Sequence, residues 1–301
     1  RGGMAAQSFR GAGGAGGAWQ QPQAFAQSSP LAASTQIDMG ELVFDKELGS
    51  GSFGTVYKGQ WRKWTVAIKQ LKNQASQDSK EYKEFVGEAE LMTRIRPHEN
   101  VVRFVGVTKP PNLCIVLEFV ERGALYDLLQ SSEPLSGELM LAMLKGTCAG
   151  MAHLHTEKVV HRDLAARNVL LDRNLNAKLG DFGMSRVIQH EKNQTKSDTG
   201  PLKWMAPESI KNREYSRKSD VWAFAVTITE VLTRCSEPYP DLEPIQVATR
   251  VAYEDLRPPI PPGASRTMVN VIQACSERNP KDRPEFSQVI EWLSWETSVF
   301  G

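Results

Sequence analysis

The feature that most restricts the fold is a change in hydrophobic period part-way along the chain. From Ile37 to about Val120, apolar and β-branched residues fall in short runs bounded by Gly, Pro and Asn: "ELVFDKEL", "TVYKGQW", "TVAIKQL", "NVVRFVGV" and "LCIVLEFV". That is the pattern of strands. One stretch departs from it. In "SKEYKEFVGEAELMTRI", Tyr82, Phe85, Ala89 and Met92 recur every three or four residues, which is the helical period. Beyond Gly123 that period dominates, in "ALYDLL", "GELMLAMLKGTCAGMAHLH", "SDVWAFAVTITEVLT" and "EFSQVIEWLSW". Strand-like pieces recur there only near "KVVHRDL", "NVLLD" and "AKLGDFG". The sequence therefore predicts an α+β fold of two lobes, a small β-rich one over 38–120 and a larger helical one over 121–301.

Residues 1–37 stand apart. They contain no acid and no lysine and are dominated by Gly, Ala, Gln and Ser, so they bury too little apolar surface to offset the entropy of ordering. A disordered tail is expected there. The chain opens on Arg1 and not on Met, as a fragment or a processed chain would. Lys plus Arg is 36 against 35 Asp plus Glu, a net charge of +1, and this balance points away from nucleic acid and anionic lipid as partners. Cys114, Cys148, Cys235 and Cys275 lie far apart with no CxxC pair, which argues against a zinc site or a disulfide framework and for a reducing, cytoplasmic setting. The longest apolar run, "VWAFAVTITEVL", is interrupted by Thr227, Thr229 and Glu230 and is shorter than the roughly 20 residues of a membrane span.

Several short patterns carry chemistry. "LGSGSFGTV" sets Gly49, Gly51 and Gly54 in a GxGxxGxV frame, where the missing Cβ atoms let backbone N–H groups approach phosphate oxygens. A plain Gly-rich hairpin turn would read the same way. A dinucleotide fold is disfavoured, because a strand and not a helix follows these glycines. "VAIK" ends in Lys69, either a solvated strand end or, if paired with Glu88 of the helical stretch, a lysine held where it can reach phosphates. In "HRDLAARN", Asp163 suits orientation of an acceptor hydroxyl and removal of its proton, while Asn168 offers a neutral oxygen to Mg2+. Asp181 in "GDFG" adds the anionic oxygen that Mg2+ prefers.

In their order, GSGSFGTV, VAIK, a helical Glu, HRDLAARN, DFG and "APE" resemble the eukaryotic protein kinases over about residues 42 to 297. The resemblance implies a bilobal enzyme that uses ATP with Mg2+ or Mn2+ to phosphorylate protein substrates. By that resemblance Gly49, Gly51 and Gly54 cover the ATP phosphates, Lys69 contacts the α and β phosphates, and Glu88 holds Lys69. Asp163 is the catalytic base, and Asn168 and Asp181 bind the metal. Leu48, Val56, Ala67 and Leu170 line the adenine site, Leu117 is the gatekeeper, and the backbone from Glu118 to Val120 faces adenine. Met92, Phe104, His161 and Phe182 resemble the stack that links the lobes. Glu208 and Arg283 resemble a buried ion pair of the large lobe, and Asp220 the anchor of the catalytic loop.

The acceptor is divided between two readings. Arg167, where many serine/threonine kinases have Lys two residues after the catalytic Asp and this chain has Ala165, matches the Ala-Ala-Arg of tyrosine kinases, as does "GPLKWMAPES" with Pro201 and Trp204. The small lobe instead resembles the tyrosine-kinase-like group, mostly Ser/Thr kinases, and the combination resembles the amoeboid kinases that carry an SH2 module, some of them dual-specific. The expectation is transfer to Tyr and to Ser/Thr; a strict Ser/Thr kinase and a nucleotide-binding scaffold without turnover are its rivals. No tyrosine lies between Phe182 and Ala206, so a phosphate that orders this loop must sit on Ser or Thr. Thr195, Ser197 and Thr199 are the candidates and Arg162 the partner, through charge-assisted hydrogen bonds.

Overall fold

The computed structural model of the chain describes residues 35–50, 54–71, 79–187, 193–194, 202–234 and 237–301, without the side chains of 186–187 and 193–194. In the small lobe five antiparallel strands form one sheet in the order β1 (Leu42–Ser50), β2 (Gly54–Trp61), β3 (Trp64–Leu71), β5 (Cys114–Glu118), β4 (Phe104–Val107). The period-two pattern sorts residues onto two faces. Val66, Ile68, Cys114 and Val116 pack together on one, whereas Ile115 and Leu113 join the core that contains helix α1 (Lys80–Arg94). Ser79 caps α1, its hydroxyl accepting the Tyr82 N–H at 3.1 Å, and the helix buries Phe85, Glu88, Ala89, Leu91 and Met92.

The described residues include the last three of the stretch that composition assigns to the tail, 35–37. Gln36 forms a parallel bridge to Val107, and the Ile37 N–H donates to the Val107 carbonyl at 2.9 Å. The physical reason is the single isoleucine: Ile37 is buried with Leu42 and Val66, which supplies apolar burial that Gly, Ala and Gln do not.

The large lobe contains α2 (Leu125–Gln130), α3 (Gly137–Thr156), α4 (Pro207–Asn212), α5 (Arg217–Leu232), α6 (Pro244–Tyr253), α7 (Arg266–Cys275) and α8 (Phe286–Ser294). Short strands pair between them: β6 (Val159–Val160) with β9 (Arg186–Val187), β7 (Val169–Leu171) with β8 (Ala177–Leu179), and β10 (Asn193–Gln194) with β11 (Glu214–Tyr215). Helix α5 forms the centre. Every residue from Ser219 to Leu232 is buried, and the helix packs against α3 and α7. A helix apolar on all sides needs such surroundings. Its polar residues are partnered: the Thr227 hydroxyl donates to the Ala223 carbonyl at 2.9 Å, and that of Thr229 to the Pro259 carbonyl at 3.0 Å. Among the described residues no helix is long and apolar enough to cross a membrane.

One ion pair fastens α4 to the far side of the lobe. Arg283, whose side chain is wholly buried, donates from Nη1 to Glu208 Oε1 at 2.7 Å and from Nη2 to Oε2 at 2.8 Å, and its guanidinium lies 5.1 Å from the Trp222 ring centre. Removing one partner leaves the other as a buried, unmatched charge, a cost of about 3 kcal/mol. Glu208→Gln is therefore expected to lower unfolding stability by about that amount in a urea titration.

Candidate active site

The site lies where the last turn of the sheet meets the loops of the large lobe. Its base is the loop that follows β6. Asp220, buried on the first turn of α5, accepts three N–H groups: from His161 N at 2.9 Å and His155 Nε2 at 2.9 Å on Oδ2, and from Arg162 N at 2.9 Å on Oδ1. These bonds hold Arg162 at a φ of 70°, a left-handed conformation that costs a non-glycine residue on the order of 1 kcal/mol. His161 is fully buried; its Nδ1 accepts from the Asp163 N–H at 3.3 Å and its Nε2 faces the Gly180 carbonyl at 3.2 Å. The pattern assigns the ring proton to Nε2.

Asp163 projects from this frame. Its carboxylate is held by Arg167 through Oδ1 and by Asn168 Nδ2 at 2.9 Å through Oδ2. Burial pushes its carboxyl above the ordinary aspartate value, only partly opposed by the Arg167 charge. Asn168 Nδ2 also donates to the Asp163 carbonyl at 2.6 Å, so both amide hydrogens are used and the amide oxygen is turned away from them. A 3-10 turn, Ala166–Asn168, sets this arrangement.

Above the loop a chain of charges crosses between lobes. Lys69 Nζ donates to Glu88 Oε1 and Oε2, both at 2.7 Å, and lies 3.5 Å from Asp181 Oδ1. Burial alone would depress the lysine's pKa, but Glu88 and then Asp181 outweigh it and raise it. Burial would likewise raise Asp181, yet the Lys69 charge and the Gly183 N–H hold its carboxyl below the ordinary value. Glu88 faces inward because it shares the buried face of α1 with Met92. Phe182 is buried, 5.8 Å from the His161 ring, in the core that holds Met92, with Phe104 packed against it. Of the four residues expected to stack between the lobes, Met92 and Phe182 therefore share one core, Phe104 packs against it, and the His161 ring lies beside Phe182.

The remaining expected positions fall around the junction. Strand register sets Val56 opposite both Gly49 and Lys69, and Ala67 opposite Leu117. Leu170 of β7 bridges to Ala124, just beyond the connection that contains Val120. The Glu118 N–H is taken by the Arg103 carbonyl at 3.0 Å, and its carboxylate receives Lys178 Nζ from β8 at 3.0 Å, an ion pair between lobes. Leu48 is about half exposed on β1. Gly54 is required by close approach: a Cβ there would lie 2.3 Å from the Gln70 carbonyl oxygen. Gly49 instead has open space where a Cβ would stand. Gly51, Thr195, Ser197, Thr199 and Pro201 lie outside the described residues.

Among the described residues no group of three or more His, Cys, Asp and Glu could hold a metal ion. Asp181 and Asn168, one anionic and one neutral oxygen donor, fit a hard cation that takes its other ligands from phosphates and water. One further buried acid borders this loop and belongs to no motif of the sequence. Glu230 of α5 is buried, and its Oε2 accepts from the Ala166 N–H at 3.0 Å and from Trp204 Nε1 at 2.9 Å. Burial pushes its carboxyl up to about 7, against the pull of those two hydrogen bonds. Its signal in the sequence is an acid that interrupts the apolar run "VWAFAVTITEVL".

Comparison with known proteins places these residues in context. Residues 42–293 match the family described as protein tyrosine and serine/threonine kinase. The chain is 38% identical over 260 residues to the serine/threonine-protein kinase STY46 of Arabidopsis thaliana, covering 86% of this chain and 44% of that protein. It is 33% identical over 262 residues to the serine/threonine/tyrosine-protein kinase HT1 of the same plant, covering 85% and 66%. With the tyrosine-protein kinase transforming protein Abl of Abelson murine leukemia virus it shares 36% identity over 280 residues, covering 90% and 37%. The chain thus spans less than two thirds of the length of each of these relatives.

Proposed function

The chain belongs to the protein tyrosine and serine/threonine kinase family, and from that premise we propose that it transfers the γ-phosphoryl group of ATP to protein hydroxyls. The observation that carries this reading is the joint presence of two assembled groups: Lys69 between Glu88 and Asp181, and Asp163 beside Arg167 and Asn168. The first can bind phosphates and the second can receive a hydroxyl. Lys69, fixed by Glu88, faces the α and β phosphates, with Gly49, Gly51 and Gly54 over them, and Leu48, Val56, Ala67, Leu117, Val120 and Leu170 enclose the base. Asp163 orients the acceptor hydroxyl and takes its proton as that oxygen bonds to the γ-phosphorus, while the bond from phosphorus to the β-phosphate bridging oxygen breaks and ADP leaves. Asn168 and Asp181 would hold Mg2+ or Mn2+, which supplies neutralisation of phosphate charge when bound.

We assign dual acceptor specificity. Arg167 reaches Asp163 and lies 5.1 Å from the Trp204 ring centre, forming a shelf beside the base that suits a phenol. The relatives, by their names, are more often Ser/Thr kinases, with HT1 a Ser/Thr/Tyr kinase and Abl a Tyr kinase, so the dual assignment rests on Arg167 and Trp204. Regulation by phosphate on Thr195 or Ser197 is part of the same reading. Gln194 pairs with Glu214, the neighbour of Tyr215, whose ring centre lies 5.0 Å from the Arg162 guanidinium, and this supports Arg162 as the partner. Buried thiols at Cys114, Cys148 and Cys275, the last pushed up by burial to about 12, accord with a reducing, cytoplasmic setting.

Incubation with MgATP and a generic protein acceptor, followed by phosphoamino-acid analysis, tests this. Phosphotyrosine together with phosphoserine or phosphothreonine is expected, and Asp163→Asn should reduce all of them at least 100-fold, on the order of general-base catalysis. Phosphate that persists in Asp163→Asn would exclude the assigned base; phosphoserine and phosphothreonine alone would exclude the dual assignment. Because the Asp163 carboxyl is raised, it takes up a proton as pH falls through that raised value. The acid limb of kcat/KM is therefore expected at a higher pH than an ordinary aspartate would give.

A further inference from the structure

A site that phosphorylates hydroxyls meets, on other copies of its own chain, a ready set of acceptors. All six tyrosines are among the described residues, and they differ sharply in access. Tyr215 and Tyr239 are buried, Tyr82 packs against the core, and Tyr57 sets its ring edge-on to Phe44. Tyr126 is 42% exposed and stands on the first turn of α2, whose entry residue Ala124 is bridged to Leu170. Tyr253 is 70% exposed. It is the last residue of α6, and just beyond it the chain turns through Asp255, at a φ of 59°, so the phenol stands at a corner of the lobe. We propose that Tyr253 is an autophosphorylation site, modified by a second copy of this chain, and that Lys211 holds the phosphate once it is in place. This rests on the reading of the chain as a kinase that accepts tyrosine.

Packing fixes Tyr253 to its own lobe. Val247, Ala248, Val251 and Ala252 bury the inner face of α6, which packs against α4 and against the 3-10 turn Leu202–Trp204. The same lobe carries Asp163, so a chain cannot carry its own Tyr253 to its own base without detaching α6, and the donor is another molecule. In the transfer the Tyr253 oxygen bonds to the γ-phosphorus of ATP held by the second copy, while the bond from that phosphorus to the β-phosphate bridging oxygen breaks. The phenolic proton passes to Asp163 of the second copy, and ADP leaves.

Charge at the corner suits the product. Lys211, in the last turn of α4, holds its Nζ 4.9 Å from the Tyr253 ring centre, and among the described residues it has no ion-pair partner. A phosphate brings about two negative charges to the end of a helix, where the dipole and Glu254 oppose it. Lys211 offsets that repulsion through a charge-assisted contact, and Arg278 already neutralises the same helix end by donating from Nη2 to the Ala252 carbonyl at 3.2 Å. A phosphate on α6 that pairs with Lys211 of α4 joins two helices beside the Leu202–Trp204 turn, and so braces the side of the site that receives acceptors.

The test is phosphopeptide mapping by mass spectrometry. Wild type is incubated with MgATP together with an isotopically labelled Asp163→Asn chain. Phosphate on Tyr253 is expected in the labelled chain as well as in wild type, the modified fraction growing in proportion to wild-type concentration. Asp163→Asn alone should acquire none. Tyr253→Phe should lose that phosphopeptide, yet before any modification it should match unmodified wild type within about twofold in kcat/KM for a peptide acceptor. Followed by phosphorus NMR, the phosphate should titrate at a lower pH in wild type than in Lys211→Met, because a nearby cation favours the dianion. Tyr253 left unmodified while other tyrosines of the chain or of a generic acceptor take up phosphate overturns the proposal. So does phosphate on wild type alone at a rate independent of concentration, and so does a phosphate that titrates alike with and without Lys211. If no acceptor gains Asp163-dependent phosphate, or none gains it on tyrosine, the parent reading itself fails, and this proposal falls with it.

Discussion

The polar machinery of this protein hangs from a helix that sees no water. From Ser219 to Leu232 helix α5 is buried on every side, and near its two ends it presents a carboxylate, Asp220 and Glu230, to the loop that runs from His161 to Asn168. Asp220 takes the His161 and Arg162 N–H groups at the start of the loop together with His155 Nε2 of α3, and Glu230 takes the Ala166 N–H towards the loop's end. Backbone donors that would otherwise be orphaned in the core are thereby satisfied, and a strained residue, Arg162, is held in its left-handed conformation. A loop of such shape needs a rigid support, since its own contacts do not define it. The support is rigid because α5 is the centre of the large lobe's packing.

The small lobe adds the second half by a different device. Its sheet places Lys69 facing α1, and the helical period of α1 places Glu88 on the face that carries Met92 into the core. The lysine stays charged in a buried setting because two carboxylates, one from each lobe, outweigh the cost of desolvation. Phe182 in the same core sets Asp181 within reach of Lys69. Packing and charge thus reinforce each other: the position of α1 decides the ion pair, and the ion pair bridges to the segment that Phe182 fixes.

Much of this was legible in the sequence, for definable reasons. The strands β1 to β5 and helices α1, α3, α5 and α8 follow from apolar periodicity, and the residues around Lys69 and Asp163 lie in motifs short enough to be read locally. What periodicity leaves out is partnership across long separations. Glu230 could be recognised as anomalous in its apolar run, but its partners are 64 and 26 residues away and are set only by packing. Helices α6 and α7 repeat the helical spacing too, through Val247, Ala248, Val251 and Ala252 and through Met268, Val271, Ile272 and Cys275, whereas the attachment of Gln36 and Ile37 to β4 depends on a remote contact. Gly54 illustrates the converse, because a glycine read as a phosphate-loop residue is also demanded by the backbone of Gln70 on the next strand.

If α5 is the support from which the loop is suspended, the backbone of that loop should open only when the lobe itself unfolds. Native-state hydrogen exchange of the His161, Arg162 and Ala166 amides measures this directly. Exchange within a few-fold of the slowest amides of α5 is the expected result, since in small domains core amides exchange through global opening. Exchange of these three at rates close to those of an unstructured peptide, while α5 remains protected, would contradict the account.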